Sequence, residues 1–400
     1  MRMGTPGFIP QRLTDARAAR RIASRTALAR LISVNSSTVA RWEDGSNSPD
    51  ADALSLLSET LRVRREFFLR PIQESPRARF YRTLSSTLKG DIGYQQAQMK
   101  WLQEISAIVQ HYVDFPAIDI PDVLEGCSYK QLRDEDIEAI ALRLRRHWSL
   151  GEGPCPDLLA FMERIGIVVA AIEMNTSKLD GLCSWDAEDR PYVLLATDKM
   201  SFPRRQMDAA HELAHAVLHR NVTATELKCD LKLIESQAFR LASAFLMPST
   251  SYPHEVVRPS LAMFQTLKER WRVSIKAQIK RLSDLEQVDP DHQTDLYKLY
   301  SAKGWNSKGE PLDRAWPLTE PRMLRQSLEM IIASQVRTKD DLLAVEFTMS
   351  PGDVENLAAL PPGWFTSRPG EIIQLRQDIK RTSNSTQHQA VVVKFPGRSK

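Results

Sequence analysis

Cysteine is scarce in these 400 residues, and Cys127, Cys155, Cys183 and Cys229 stand 28, 28 and 46 positions apart with no Cys-x-x-Cys pair. That spacing excludes a disulfide-stapled framework and a thiolate zinc knuckle, and leaves reduced thiols as the expectation. Long apolar runs are missing as well. The longest, Ile165-Gly-Ile-Val-Val-Ala-Ala-Ile172, is far short of the roughly 20 residues that cross a bilayer. The N-terminus has no apolar core of a secretory signal. A cytoplasmic protein with no membrane association is the expectation. Lysine is absent from residues 1–70, where 12 Arg face 7 acidic residues, an excess of five positive charges in a chain whose total is +4. The basic character is therefore local, and it suits a module that contacts phosphates.

What is present concentrates in one run, His211-Glu-Leu-Ala-His-Ala-Val-Leu-His219. His211 and His215 are four residues apart, so on a helix their imidazoles share a face about one turn apart. Two nitrogen ligands of one Zn²⁺ need that spacing, with Zn–N distances of about 2.0–2.1 Å. Glu212 projects beside them, where a carboxylate can take a proton from water in a metal hydrolase. Ala209, Ala210, Leu213, Ala214, Ala216, Val217 and Leu218 make this helix largely apolar. That argues against an exposed helix with incidental histidines, because buried imidazoles and a buried carboxylate need partners and a metal supplies one.

His219 is a poor third ligand. On a straight helix it lies about 12 Å along the axis from His211, and no glycine breaks the helix after His215. A helix C-terminal histidine favoured by the dipole is the simpler reading. Glu235, 20 residues after His215, opens a second expected helix with Leu241, Phe245 and Leu246 on an apolar stripe. A helical hairpin would return that carboxylate to the HExxH face and complete a His₂Glu set, with water in the fourth position.

Three segments, Leu179-Asp-Gly-Leu-Cys183, Arg204 through His215, and Glu235…Ala238…Ala242…Leu246-Met-Pro248, together resemble the ImmA/IrrE family of zinc metallopeptidases. The resemblance implies one Zn²⁺ per chain, held by His211, His215 and Glu235, with Glu212 as the catalytic acid and base. It also implies hydrolysis of a peptide bond in another protein, often a partner repressor. The chain departs from the family pattern at Gln237, where a second Glu is usual, at Phe239 (Asn) and at Leu241 (Phe). None of these is a matched ligand. Together they keep a second reading open, a transcriptional regulator whose zincin-like domain is a non-proteolytic sensor or dimerisation module.

The N-terminal segment has its own grammar. Leu13, Ala16 and Ala19 begin a helical pattern; Leu28, Ala29 and Leu31 form a second short helix; Ser33-Val34-Asn35 makes a turn. Ser36-Ser-Thr-Val-Ala-Arg-Trp-Glu43 gives a third helix, capped by Asn35 and stopped at Asp44-Gly45, with Leu54, Leu57 and Leu61 on a fourth. Two short helices joined by a tight turn in a small helical domain describe a helix-turn-helix reader, against the plainer alternative of a helical dimerisation bundle. The run from Leu28 to Gly45 is similar to the XRE/Cro family of DNA-binding domains. That similarity implies that Arg25, Ser36, Ser37, Thr38 and Arg41 face double-stranded DNA. Arg25 and Ser33 stand where the family usually has Gln and Gly. A homodimer is the expected assembly, since such modules usually read paired half-sites.

Between the motifs the pattern predicts helices at 92–114, 134–148 and 156–165, then strands at 165–172, about 181–185 and 192–196, the last two an antiparallel pair. The expected fold is multidomain and mainly α. It comprises a helix-turn-helix domain (9–70), a helical connector entered through a linker at Pro71–Pro76 (71–150), an α+β zincin-like core with a small antiparallel sheet (151–250), a mostly helical C-terminal region (251–366) and a loosely ordered tail (367–400).

Overall fold

The computed structural model describes residues 4–72, 80–83, 89–174, 179–198 and 200–366. The expected tail at 367–400 and most of the linker at Pro71–Pro76 lie outside them. Four helices open the chain: α1 (Pro10–Ala19), α2 (Arg25–Leu31), α3 (Ser36–Glu43) and α4 (Ala51–Leu61). Pro10 suits the first helical turn, where its missing N–H costs nothing. Ser24 and Asp50 cap α2 and α4 by accepting from Ala27 N and Ala53 N. Asn35 holds the N-cap position of α3, but its side chain makes no capping bond, so the expected cap is one of backbone only. Ser33 takes the turn between α2 and α3 at φ 56°, the left-handed conformation that glycine adopts more cheaply.

Leu13, Ala16, Leu28, Val39, Trp42, Leu57, Leu61, Phe67 and Phe68 fill the core of this module. The same core continues into α5 (Lys89–Gln110), whose Met99, Leu102, Ile105, Ile108 and Val109 are buried as the stripe predicts. Polar contacts fasten the join. Arg12 bonds Glu104, and Lys100 pairs with Asp15 at 2.7 Å.

The sheet has four strands, β1 (Phe80–Thr83), β2 (Val168–Ile172), β3 (Leu179–Trp185) and β4 (Pro191–Ala196), in the order β1-β3-β4-β2. The expected antiparallel pair is there, β3 on β4 with Leu182 opposite Leu194. β2 runs parallel to β4, so the sheet is mixed, and β1 adds an antiparallel edge strand on β3 that no sequence pattern announced. Alternate residues face two different cores. Val169, Cys183, Trp185, Val193 and Leu195 pack toward one; Val168, Ala170, Leu182, Tyr192 and Leu194 pack toward the α5 side. Burial on both faces explains why β2 and β4 read as continuous apolar runs rather than alternating ones.

The first core belongs to α6 (Asp134–His147), α7 (Leu158–Arg164), α8 (Phe202–Leu218), α9 (Ala224–Cys229), α10 (Leu231–Leu246), α11 (Leu261–Trp271) and α12 (Ile275–Asp284). After α13 (Pro290–Ala302) and the one-turn α14 (Trp305–Lys308), α15 (Met323–Ala333) leads back to the N-terminal module. There Val63 bridges Met349, and Arg20 pairs with Asp353 at 2.6 Å. None of the described helices is long and apolar enough to cross a membrane.

Candidate metal centre

α8 is buried along nearly its whole length; only Arg204 and Met207 escape. Its polar residues must therefore be answered from within the protein. A capping box at Thr223–Glu226 starts α9, and the chain turns at Asp230 into α10. α10 packs against α8 as the return arm of a hairpin. It begins four residues earlier than its apolar stripe suggested, so Glu235 sits in the second turn rather than at the start. Leu231 and Leu233 of the extra turn are substantially exposed, which is why the stripe does not reach them.

The hairpin brings His211, His215 and Glu235 together, with one donor atom from each within 4.8 Å of the others. His211 Nε2 and His215 Nε2 are 3.1 Å apart. Glu235 Oε2 lies 3.3 Å from His211 Nε2, and Oε1 lies 3.5 Å from His215 Nε2. A tetrahedral ion with arms of about 2.0–2.1 Å has edges of roughly 3.3–3.4 Å. Two imidazole nitrogens and a carboxylate in a triangle of that size have the chemistry and the spacing of a zinc site with an open position. Burial pushes the Glu235 carboxyl up, but the neighbouring His211 and His215 imidazoles pull it down further, so the net direction is well below the usual carboxylate range.

His219 does something the sequence reading missed. It is fully buried, and its Nδ1 lies 3.1 Å from His215 Nδ1 while its Nε2 lies 3.1 Å from Gln237 Oε1. Gln237 Nε2 donates to the Tyr129 carbonyl at 2.7 Å. A carbonyl only accepts, so the amide nitrogen of Gln237 must face it and Oε1 must face His219. His219 therefore donates from Nε2 and accepts at Nδ1. That puts a proton on His215 Nδ1 and leaves the Nε2 lone pair for the cluster. Burial, with His215 beside it, pushes the His219 pKa down to about 3, so it is neutral and not the dipole-favoured cation expected at a helix C-terminus. The departure at Gln237 acquires a role through this chain. The visible signal was the third histidine at i+8, one turn beyond His215.

Glu212 is fully buried beside the pair, against β3. A Cβ at Gly181 would stand 2.4 Å from Glu212 Oε1, so only glycine lets the strand pass this close to the carboxylate. Phe239, the second departure, sets its ring 4.3 Å from the His211 ring and remains 38% exposed. It lines a cleft of about 1140 Å³ together with Arg204, Asp208, Tyr297 and Trp305. Tyr252 and His254, which follow soon after Glu235, do not join the donor cluster; Tyr252 is buried and donates to Gln278.

Residues 162–283 match the family model described as the IrrE N-terminal-like domain, Peptidase_M78. They form a metallopeptidase-like module. His211, Glu212, His215, Glu235 and Gln237 all fall inside the matched stretch, which runs from α7 to α12. No curated protein matches the chain.

The N-terminal candidates fall outside the matched stretch. Ser36, Ser37 and Arg41 are exposed on α3, and Thr38 is half-buried. Arg25 is half-exposed but committed: its Nε bonds Glu43 Oε2 at 2.6 Å, while Arg17 holds the other carboxylate oxygen.

Proposed function

We propose that this chain is a zinc-dependent endopeptidase that cuts a protein substrate, fused to an N-terminal DNA-binding module. The observation that carries the peptidase reading is the triangle of His211, His215 and Glu235 donors at 3.1–3.5 Å, with Glu212 buried beside it. Bound zinc supplies Lewis acidity, which polarises a carbonyl and makes water acidic enough to lose a proton near neutral pH. Glu212 is the group that takes this proton and returns it to the leaving amine nitrogen. His219 and Gln237 keep the His215 lone pair pointed inward. The cleft beyond Phe239 offers room for the chain being cut.

Exposed Ser36, Ser37 and Arg41 on a short helix after a tight turn, within an arginine-rich segment, support the DNA-binding half of the reading. The module would read paired half-sites as a homodimer, and the protein cut would be a repressor partner. A second reading, a metal-binding regulator without proteolysis, is favoured by Phe239 lying against His211, at the position where the pattern of the ImmA/IrrE family that this segment resembles has Asn. Fluorescein-labelled casein, incubated with the zinc-loaded protein and its Glu212→Gln variant, separates the two. Hydrolysis by the wild type alone supports the endopeptidase. Equal rates, or none from either, favour the regulator.

A further inference from the structure

β3 is the strand that passes against the catalytic carboxylate, since a Cβ at Gly181 would stand 2.4 Å from Glu212 Oε1, and its outer edge is the side turned away from β4. On that edge the chain has placed a strand of its own. β1 pairs antiparallel with β3 through Phe80 opposite Cys183, Tyr81 opposite Leu182 and Thr83 opposite Leu179. The register slips between Tyr81 and Thr83, so the irregular step falls at Arg82, across from Asp180 and Gly181. We propose that this edge is a docking site for an extended peptide and that residues 80–83 occupy it as an intramolecular plug, which a substrate strand must displace. The inference rests on the endopeptidase reading and adds its regulation.

Three physical points carry it. An extended peptide binds a sheet edge through main-chain N–H and C=O groups, the same groups β1 uses on β3. Each backbone N–H is a single donor, so β1 and an incoming strand cannot both complete the ladder at the same positions. Occupation is therefore exclusive. β1 is also built to be the first strand to leave: it is four residues long, sits at the sheet edge, pairs with one neighbour only and carries a register break. β4, by contrast, is paired on both sides and buried throughout.

The test uses the full chain carrying Glu212→Gln, so that no probe is consumed, and a fluorescein-labelled peptide of residues 78–86 followed by anisotropy. A Tyr81→Pro/Arg82→Pro pair removes two adjacent backbone donors, one of which must point at β3 whichever way the ladder is phased. The plug predicts that this variant binds the peptide at least ~10-fold more tightly than its parent. Equal affinity, or no binding by a variant that retains its far-ultraviolet circular dichroism, overturns it. If the proline variant does not fold, hydrogen exchange on the parent decides. Amides of 80–83 exchanging ~100-fold or more faster than those of 192–196 support a displaceable strand, and equal protection overturns it. The peptidase reading fails separately, on absence of casein hydrolysis in the Glu212-containing proline variant, while peptide capture still stands.

Discussion

Gly181 and Glu212 share a space that admits only one of them to carry atoms: a Cβ at 181 would lie 2.4 Å from Oε1, 2.8 Å from Cδ and 2.9 Å from Cγ of the buried carboxylate. The glycine of the Leu179-Asp-Gly-Leu-Cys183 segment is thus part of how the Glu212 carboxylate is aimed.

Gly181→Ala should therefore displace the Glu212 carboxylate by about 1 Å, and a shift of that size costs roughly 100-fold in rate. Zinc stoichiometry should stay at the wild-type value, since no ligand is touched. Casein hydrolysis alongside elemental analysis checks both halves. Undiminished activity would mean the carboxylate relaxes without loss.

The Tyr129–Gln237–His219–His215 chain makes a prediction about metal affinity. Gln237→Leu strips His219 of its acceptor and the Tyr129 carbonyl of its donor, freeing His219 to turn. Zinc affinity should fall roughly 10–100-fold, the usual effect of losing an outer partner of a ligating histidine. Competition against a chromophoric chelator measures it. An unchanged constant would show that His215 is oriented by packing alone.

A titration far from the metal links pH to stability. Glu163, at the end of α7, accepts from the backbone N–H groups of Arg322 and Met323 and so caps α15 across the fold. Burial nonetheless pushes its pKa up to about 7, above the ordinary carboxylate value. A raised folded-state pKa contributes stability that is full below the unfolded pKa, about 4.3, and is lost as pH rises through about 7. Relative to Glu163→Gln, the wild type should lose on the order of 2–3 kcal/mol between pH 4.5 and pH 8. Urea unfolding of both proteins across that range tests this, and parallel curves would contradict it.

For the N-terminal module, Arg41→Ala should weaken binding to a random-sequence duplex and lower the slope of log affinity against log salt by about 1. Arg25→Ala should have the smaller effect on the salt slope, because Arg25 already neutralises Glu43. Electrophoretic mobility shifts at several salt concentrations measure both, and a slope unchanged in Arg41→Ala would remove α3 from the interface.

How much of this was written in local patterns depends on the reach of each contact. α3 runs from Ser36 to Glu43, the bounds its motif suggested, and the HExxH helix and the β3–β4 pair were equally plain, because each follows from a period of a few residues. Glu235 was found through its place before an apolar stripe. Hidden were the features that join distant segments. Arg145 is buried and bonds the carbonyls of Gly151, Gly153 and Phe245, tying α6 to the end of α10, yet in sequence it is one more arginine on an amphipathic helix. β1 gave no signal because four residues are too few to show an alternation. The tautomer of His215 depends on Gln237, 22 positions away, and on a carbonyl at Tyr129.

The central claim is that His211, His215 and Glu235 hold zinc, and the metal content of the purified protein tests it most directly. Elemental analysis of the wild type should find about one zinc per chain, lost or greatly reduced in Glu235→Ala. A wild-type protein that carries no zinc and takes up none when it is supplied would contradict the account, and the peptidase reading would fall with it.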